Sequence, residues 1–345
     1  MVREHTRAAR GRVAATVRGV RAVIFDGPGD ETVLRVGEAP APACGPRDLR
    51  LAVHAAGVNR ADLMQRQGLY PPPPGASSLL GLECAGTVTE VGAEVKAWRV
   101  GDRAMALLAG GGYAEEVAVD AGSALPIPAH LSFTEAAALP EVLLTVFLNV
   151  FQLGALPEQG VALVHGGGSG IGTAAIRQVK AAGGHIVVTA GSAEKCRRCL
   201  ELGADRAVNY RDEDFVAAAR ELSGGRGADV VLDSIGAPYL ERNLQSLALG
   251  GRLVVIGLMG GAKAELNLGV VVAKRVQILG STLRARPVAE KAAIVSGFLA
   301  RFGKALEAGA LDPIVDRVLP LAQAGEAHRA MKASEHFGKI VLQVR

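Results

Sequence analysis

Aromatic residues are scarce in this chain of 345 residues, at 4%, with a single tryptophan. A core must therefore come from aliphatic side chains, and hydrophobic residues at 49% are enough to supply one. Cysteine is sparse too. Cys44, Cys84, Cys196 and Cys199 cannot make the disulfide framework of a small secreted domain. Cys196 and Cys199 form a C-x-x-C, but Ala193–Leu202 reads as a helix and no second ligand pair accompanies it. Two incidental helix cysteines in a reducing, cytoplasmic setting are expected. Apolar runs are short, and none reads as long enough to span a membrane. No basic cluster marks a nucleic-acid surface. The formal charge of +4 owes much to Arg3, Arg7, Arg10, Arg12, Arg18 and Arg21, and the remainder is close to neutral. Residues 1–20 hold Glu4 as their only acid; their Arg- and Ala-rich composition is that of a transit peptide, and they read as a disordered arm or a start codon placed upstream.

The length suits two domains. From Arg21 to about Asp120 the chain alternates short strands with Gly/Pro turns, which predicts a rolled, mostly antiparallel unit. Asn59–Gln67 reads as a short helix with Asn59 at its N-cap, followed by a stiff Pro71–Pro74 loop. Phe133–Leu153 reads as one long helical crossover containing Pro140. From Gly160 strands and helices alternate. Strands are expected at Val161–His165, His185–Ala190, Arg206–Asn209, Ala228–Asp233, Arg252–Ile256 and Val276–Thr282, with helices between them. That rhythm makes an α/β chain with a doubly wound parallel sheet. After Arg286-Pro287 a helix, a strand, a second helix and the strand Gly338–Val344 are expected to return to the first unit. The expected domains are then 21–144 with 285–345, and 145–284 between them, with the active cleft at their junction.

The stretch Val161-Ala162-Leu163-Val164-His165-Gly166-Gly167-Gly168-Ser169-Gly170-Ile171-Gly172 enters a glycine cluster as a strand and leaves it as a helix starting near Ile171. Its G-x-G-x-x-G frame falls on Gly167, Ser169 and Gly172, with serine in the middle slot. Glycines at Gly167, Gly168, Gly170 and Gly172 let backbone approach a pyrophosphate, and the helix N-terminus faces that charge. The second strand ends Thr189-Ala190-Gly191-Ser192-Ala193-Glu194-Lys195, without the acid that would take a ribose 2′-hydroxyl. Ser192 and Lys195 beside Gly191 suit a 2′-phosphate, so NADPH is expected over NADH.

Several stretches carry a family resemblance: Asn59-Arg60-Ala61-Asp62-Leu63-Met64-Gln65-Arg66-Gln67-Gly68, Leu80-Gly81-Leu82-Glu83, Gly170-Ile171-Gly172-Thr173-Ala174-Ala175-Ile176, Gly257-Leu258-Met259-Gly260-Gly261 and Gly338-Lys339-Ile340-Val341-Leu342. From about Arg21 onward the chain resembles the medium-chain dehydrogenase/reductase superfamily. Within it, the likeness is to the zinc-independent quinone oxidoreductases related to zeta-crystallin, in particular the tumour-suppressor-inducible branch. The resemblance implies a GroES-like catalytic domain beside a Rossmann domain, NADPH in the cleft, and a homodimer. Zinc-bearing members place Cys and His where Asn59 and Leu82 stand here, and carry a four-cysteine lobe that is missing, so no metal is expected.

By the same resemblance Asn59 and Asp62 lie by the nicotinamide pocket with Tyr70 on a flexible lip, Thr145 contacts the ring, and Lys339 makes the family's Gly-Lys contact. Tyr210, ending the third strand, is expected near the adenine-ribose phosphate. Gly236 and Gly257 end the fourth and fifth strands at the ligand edge of the sheet. Leu258, Met259, Leu283 and Arg284 are expected to wall the cofactor. The expected activity is NADPH-dependent reduction of a quinone without metal. The alternatives are reduction of an enone or enoyl C=C bond, and a noncatalytic NADPH-binding sensor or RNA-binding protein. The scattered basic residues count against RNA.

Overall fold

The computed structural model describes residues 18–345. The expected arm at residues 1–20 lies outside them except for its last three residues. Of these, Gly19 and Val20 already belong to strand β1 (Gly19–Ile24), which begins two residues before Arg21. Strand β1 pairs antiparallel with β2 (Arg35–Pro40).

The catalytic half is built on β3 (Asp48–Gly57), β4 (Glu83–Val91), β5 (Arg103–Leu107), β6 (Glu116–Asp120) and β7 (Ala124–Pro126), with helix α1 (Arg60–Arg66) between β3 and β4. Along β3 the alternate residues Leu49, Leu51, Val53 and Ala55 are fully buried, as a strand with one face on a core requires. Helices α2 (Phe133–Ala136) and α3 (Pro140–Val146), then a π-helical turn at Phe147–Leu153, replace the single long helix expected there. Pro140 has no N–H to continue a helix but fits the first position of a new one. Phe133–Leu153 is also long and apolar enough to cross a membrane, contrary to the sequence expectation, yet 83% of its most apolar window is buried inside the protein. It is a core element wedged between the two halves.

The second half alternates β8 (Val161–His165), α4 (Gly170–Ala181), β9 (His185–Ala190), α5 (Ala193–Glu201), β10 (Arg206–Asn209), α6 (Phe215–Leu222), β11 (Ala228–Asp233), α7 (Leu240–Ser246), β12 (Leu247–Val255), α8 (Leu268–Lys274) and β13 (Gln277–Gly280). Its strands are parallel in the order β10-β9-β8-β11-β12-β13, the doubly wound Rossmann topology. Strand order reverses between β8 and β11, so loops leaving their carboxyl ends open onto one crevice. Strand β12 starts at Leu247 instead of Arg252, and β13 is confined to four residues.

Helix α9 (Val288–Glu307), β14 (Val315–Pro320), α10 (Ala324–Ala333) and β15 (Lys339–Gln343) then return to the catalytic half. Strand β15 inserts between β14 and β3, parallel to the first and antiparallel to the second. This brings the start of β15 to the mouth of the Rossmann crevice. Gly338 N–H donates to the Gly168 carbonyl at 2.9 Å.

Candidate active site

The glycine turn is shaped by contacts that exclude side chains. Gly166 has φ +78°, a left-handed conformation. A Cβ on Gly167 would lie 2.7 Å from Val188 and 2.9 Å from Cys199 Sγ, and one on Gly172 would lie 2.3 Å from the Gly166 carbonyl. Ser169, in the middle slot, is the N-cap of α4, and its Oγ accepts from the Gly172 amide at 3.0 Å. The helix therefore starts at Gly170, one residue before the expected Ile171. Among the described residues no protein group accepts from the amides of Gly168 or Ile171, while the Gly170 amide faces the Gly338 carbonyl across an isolated parallel bridge between Ser169 and Gly338. The two free N–H groups stand at the positive end of a twelve-residue helix, where an anionic group can be held.

At the end of β9, Gly191 lies beneath Tyr210, whose hydroxyl would stand 2.6 Å from a Cβ there. Ser192 caps α5 and accepts from the Lys195 amide at 3.3 Å. Lys195 Nζ reaches across the cleft to donate to the Ser334 carbonyl at 2.5 Å. Burial holds its ammonium below the usual lysine range. Glu194 turns away and pairs with Arg197 at 2.7 Å, so it does not oppose a phosphate beside Lys195. Arg198 stacks on the Phe337 ring at 4.0 Å, and that ring lies over Gly168. The C-x-x-C thiols are buried, and burial raises Cys199 to about 12.

Where β15 meets β3 and β4, Lys339 is buried and uses all three ammonium protons. It donates to the Val58 carbonyl at 3.0 Å, Asn59 Oδ1 at 2.7 Å and Glu83 Oε1 at 2.6 Å. Asn59 Nδ2 donates to the same Glu83 oxygen at 2.8 Å, closing a triangle. Glu83 Oε2 accepts from the Glu141 amide at 2.9 Å at the start of α3. One turn on, Thr145 Oγ1 lies 3.2 Å from Glu141 Oε1. A Cβ on Gly170 would strike Lys339 Cδ at 2.4 Å and approach Val142 at 3.2 Å. The glycine turn, β15 and α3 thus touch at one point, and Asn59, Thr145 and Lys339 gather there.

Other predicted residues take different places. Asp62 is fully buried beneath this cluster. Its carboxylate accepts from the amides of Asn59 (2.8 Å) and Gly81 (3.1 Å) and from the Tyr113 hydroxyl (3.1 Å), so it caps α1 and anchors Asn59 from below. Burial pushes it up to about 6. Tyr70 lies half-buried on its lip with the Arg284 guanidinium 5.3 Å above its ring. The Arg284 guanidinium is already engaged by the protein. It is buried and donates to the carbonyls of Ala109 (2.8 Å) and Tyr70 (3.2 Å) and to Gln65 Oε1 (2.6 Å), tying the lip to α1. Leu283 is likewise a core residue, packed into the main apolar cluster. Leu258 and Met259, by contrast, are 56% and 58% exposed at the crevice rim beside Gly236 and Gly257. Gly236 has φ +85°, and Asp233 accepts from its amide at 3.1 Å. Glu83 and Glu141 are site residues that the sequence reading passed over; Glu83 stood in a motif quoted only for its resemblance. Among the described residues no three His, Cys, Asp or Glu side chains converge as metal ligands.

Residues 45–129 match the alcohol dehydrogenase GroES-like domain family, and residues 170–297 match the family described as zinc-binding dehydrogenase. Quinone oxidoreductase 1 of Escherichia coli K12 is 36% identical over 225 residues, 65% of this chain and 68% of that one. The solved structure of E. coli quinone oxidoreductase complexed with NADPH superposes with a TM-score of 0.81 at 30% identity, over 94% of this chain and all of that one. A structure named as an NAD-dependent alcohol dehydrogenase gives 0.82 at 34% identity, covering 94% of this chain and 100% of that one. The CurK enoyl reductase gives 0.83 at 26%, covering 94% and 99%. Both halves of the architecture, the crevice between them and these likenesses make the chain an oxidoreductase of the medium-chain dehydrogenase/reductase family.

Proposed function

We propose that this protein is an NADPH-dependent quinone oxidoreductase that works without a metal ion. The observation that carries this reading is the junction of the glycine turn with the Lys339–Asn59–Glu83 triangle, which leaves a phosphate cradle and an uncharged amide at one cleft. The bound dinucleotide would supply hydride to the acceptor. The amides of Gly168 and Ile171 would hold its pyrophosphate, with Ser192, Lys195 and Tyr210 around the 2′-phosphate. Lys339 and Glu83 fix Asn59, so its amide is oriented before an acceptor arrives. Thr145 would face the ring, and Tyr70 would cover the acceptor from its tethered lip. The likeness to quinone oxidoreductases supports the acceptor class. The enoyl reductase likeness favours one second reading, reduction of an activated C=C bond with the same machinery.

NADPH oxidation measured with a panel of quinones, enones and enoyl thioesters tests this. Turnover with quinones is expected; turnover with enones alone would replace the first reading by the second. Saturable NADPH binding without any turnover would favour a sensor. We read the chain as two units, 21–144 with 285–345 and 145–284, and as a homodimer in the cytoplasm. Strand β13 supports the dimer: it is a sheet edge with Ile278 40% exposed, flanked by exposed Leu249 and Val272. Ile278→Lys is expected to shift the mass in solution from dimer to monomer, read by light scattering.

A further inference from the structure

Reducing a quinone by one hydride leaves a hydroquinone monoanion, and a proton must follow. The cleft holds one acidic group that the site does not otherwise use. Glu141 sits part-buried in the first turn of α3, with its amide fixed on Glu83. The nearest cation is Lys339, whose three protons are already taken by Val58, Asn59 and Glu83. The Glu141 carboxyl is therefore left without an ion-pair partner. The groups facing it are Glu83 on β4, Asp62 on α1, Lys339 on β15, Thr145 on its own helix and Tyr70 on the lip. Burial first, then the charges of Glu83 and Asp62 working against Lys339 and the Thr145 hydrogen bond, raises it to about 7. A carboxyl so placed keeps its proton to near neutrality.

We propose that Glu141 and Thr145 form a proton relay to the reduced acceptor, a role that rests on the oxidoreductase reading above. Thr145 Oγ1 donates to Glu141 Oε1 at 3.2 Å when Glu141 is a carboxylate; with Glu141 protonated the bond runs the other way, so the Thr145 hydroxyl gives its proton to the acceptor oxyanion as the Glu141 carboxyl gives its own to Thr145 Oγ1. One hydride and one proton then convert the quinone to the hydroquinone, and Glu141 is left as the carboxylate. It regains a proton from water. Thr145 is the catalytic residue of the pair, and Glu141 acts through it. For an enone the same relay protonates the enolate, so the inference does not depend on which acceptor is used.

The test has two arms. Infrared titration of protein carrying carbon-13 glutamate reads the Glu141 carboxyl directly, with Asp62 silent to the label. A protonated carboxyl band lost around neutrality and absent from Glu141→Gln is expected. In the second arm, kcat/KM for the best acceptor is followed against pH. The wild-type value is expected to fall as pH rises through about 7. Glu141→Gln and Thr145→Val should each lose at least about a hundred-fold and show no such limb, with NADPH affinity retained in Glu141→Gln. A glutamate band that does not titrate near neutrality, or a Glu141→Gln enzyme with the wild-type rate and profile, would overturn the relay. If quinones fail and enones turn over with the limb present, the acceptor reading falls and the relay stands.

Discussion

In the Rossmann half, strands β8, β9 and β11 bury Val, Leu, Ile and Ala, and Asp233 is the one fully buried carboxylate among the described residues there. The catalytic half buries Asp62, Arg66, Glu83 and Lys339, and its lip is held by the buried Arg284. On the function proposed for the cleft, the difference follows from what each half would offer a ligand. One presents backbone: free amides at a helix start, shaped by the absence of side chains. The other must hold an amide and an acid at fixed points, and in low dielectric each fixed charge needs a partner. The buried ions are the consequence of that requirement and a weak source of stability in themselves.

Removing one ion should break the contrast most sharply. Lys339→Met leaves Glu83 buried and unpaired, and a loss of about 3–5 kcal/mol is expected by urea unfolding. Hydrogen exchange should locate it in β3, β4 and β15, with β8 and β9 still protected; Glu83→Gln in the same protein should recover much of it. Lys195→Ala removes one charge-assisted contact, so NADPH should bind about ten- to a hundred-fold more weakly, roughly 1.5–3 kcal/mol, with NADH nearly unchanged by fluorescence titration. Equal losses would remove Lys195 from the 2′-phosphate site.

The halves should also differ in their response to pH. Glu141 is raised from 4.5 to about 7, so its contribution is full below its unfolded value and is lost as pH rises through the folded one. Glu141→Gln should therefore gain stability relative to wild type on the alkaline side, by roughly 1–3 kcal/mol. His328, in the catalytic half, and His165, in the Rossmann half, are held neutral by burial, at about 3 and about 4. Both contributions are lost as pH falls below the ordinary histidine range, so acid should weaken both halves, while the loss on passing neutrality belongs to the half that holds Glu141. The smallest effect belongs to a single cap. Ser169→Ala should cost about 1 kcal/mol in the Rossmann half alone, measured by thermal unfolding.

Local signals carried much of the fold. The alternation from Gly160 gave the Rossmann topology, and helices lie between its strands as read, Leu268–Lys274 among them. The glycine frame was legible because Gly167 and Gly172 answer contacts in the next strand and the turn itself, whereas Gly168 and Gly170 meet Phe337 and Lys339, far away in sequence. The ion triangle was not, since Glu83 and Lys339 lie 256 residues apart and only the insertion of β15 joins them. Arg284 is 219 residues from Gln65, so its neighbours in sequence do not reveal that it ties the lip to α1. Leu283 and Leu258 look alike in sequence, and only packing decides that one is core and the other rim. The π-helical turn after α3 leaves no local mark, because an apolar run serves either helix equally well.

The late insertion of β15 beside β3 also bears on synthesis. A ribosome delivers β3 and β4 long before their neighbour exists, with the whole nucleotide-binding unit made in between. During that interval the flank of β3 lacks its partner and the acid on β4 lacks its base. Folding of the earlier-made half must wait for the later-made strand to thread home, so nascent chains stalled before it should stay dependent on chaperones.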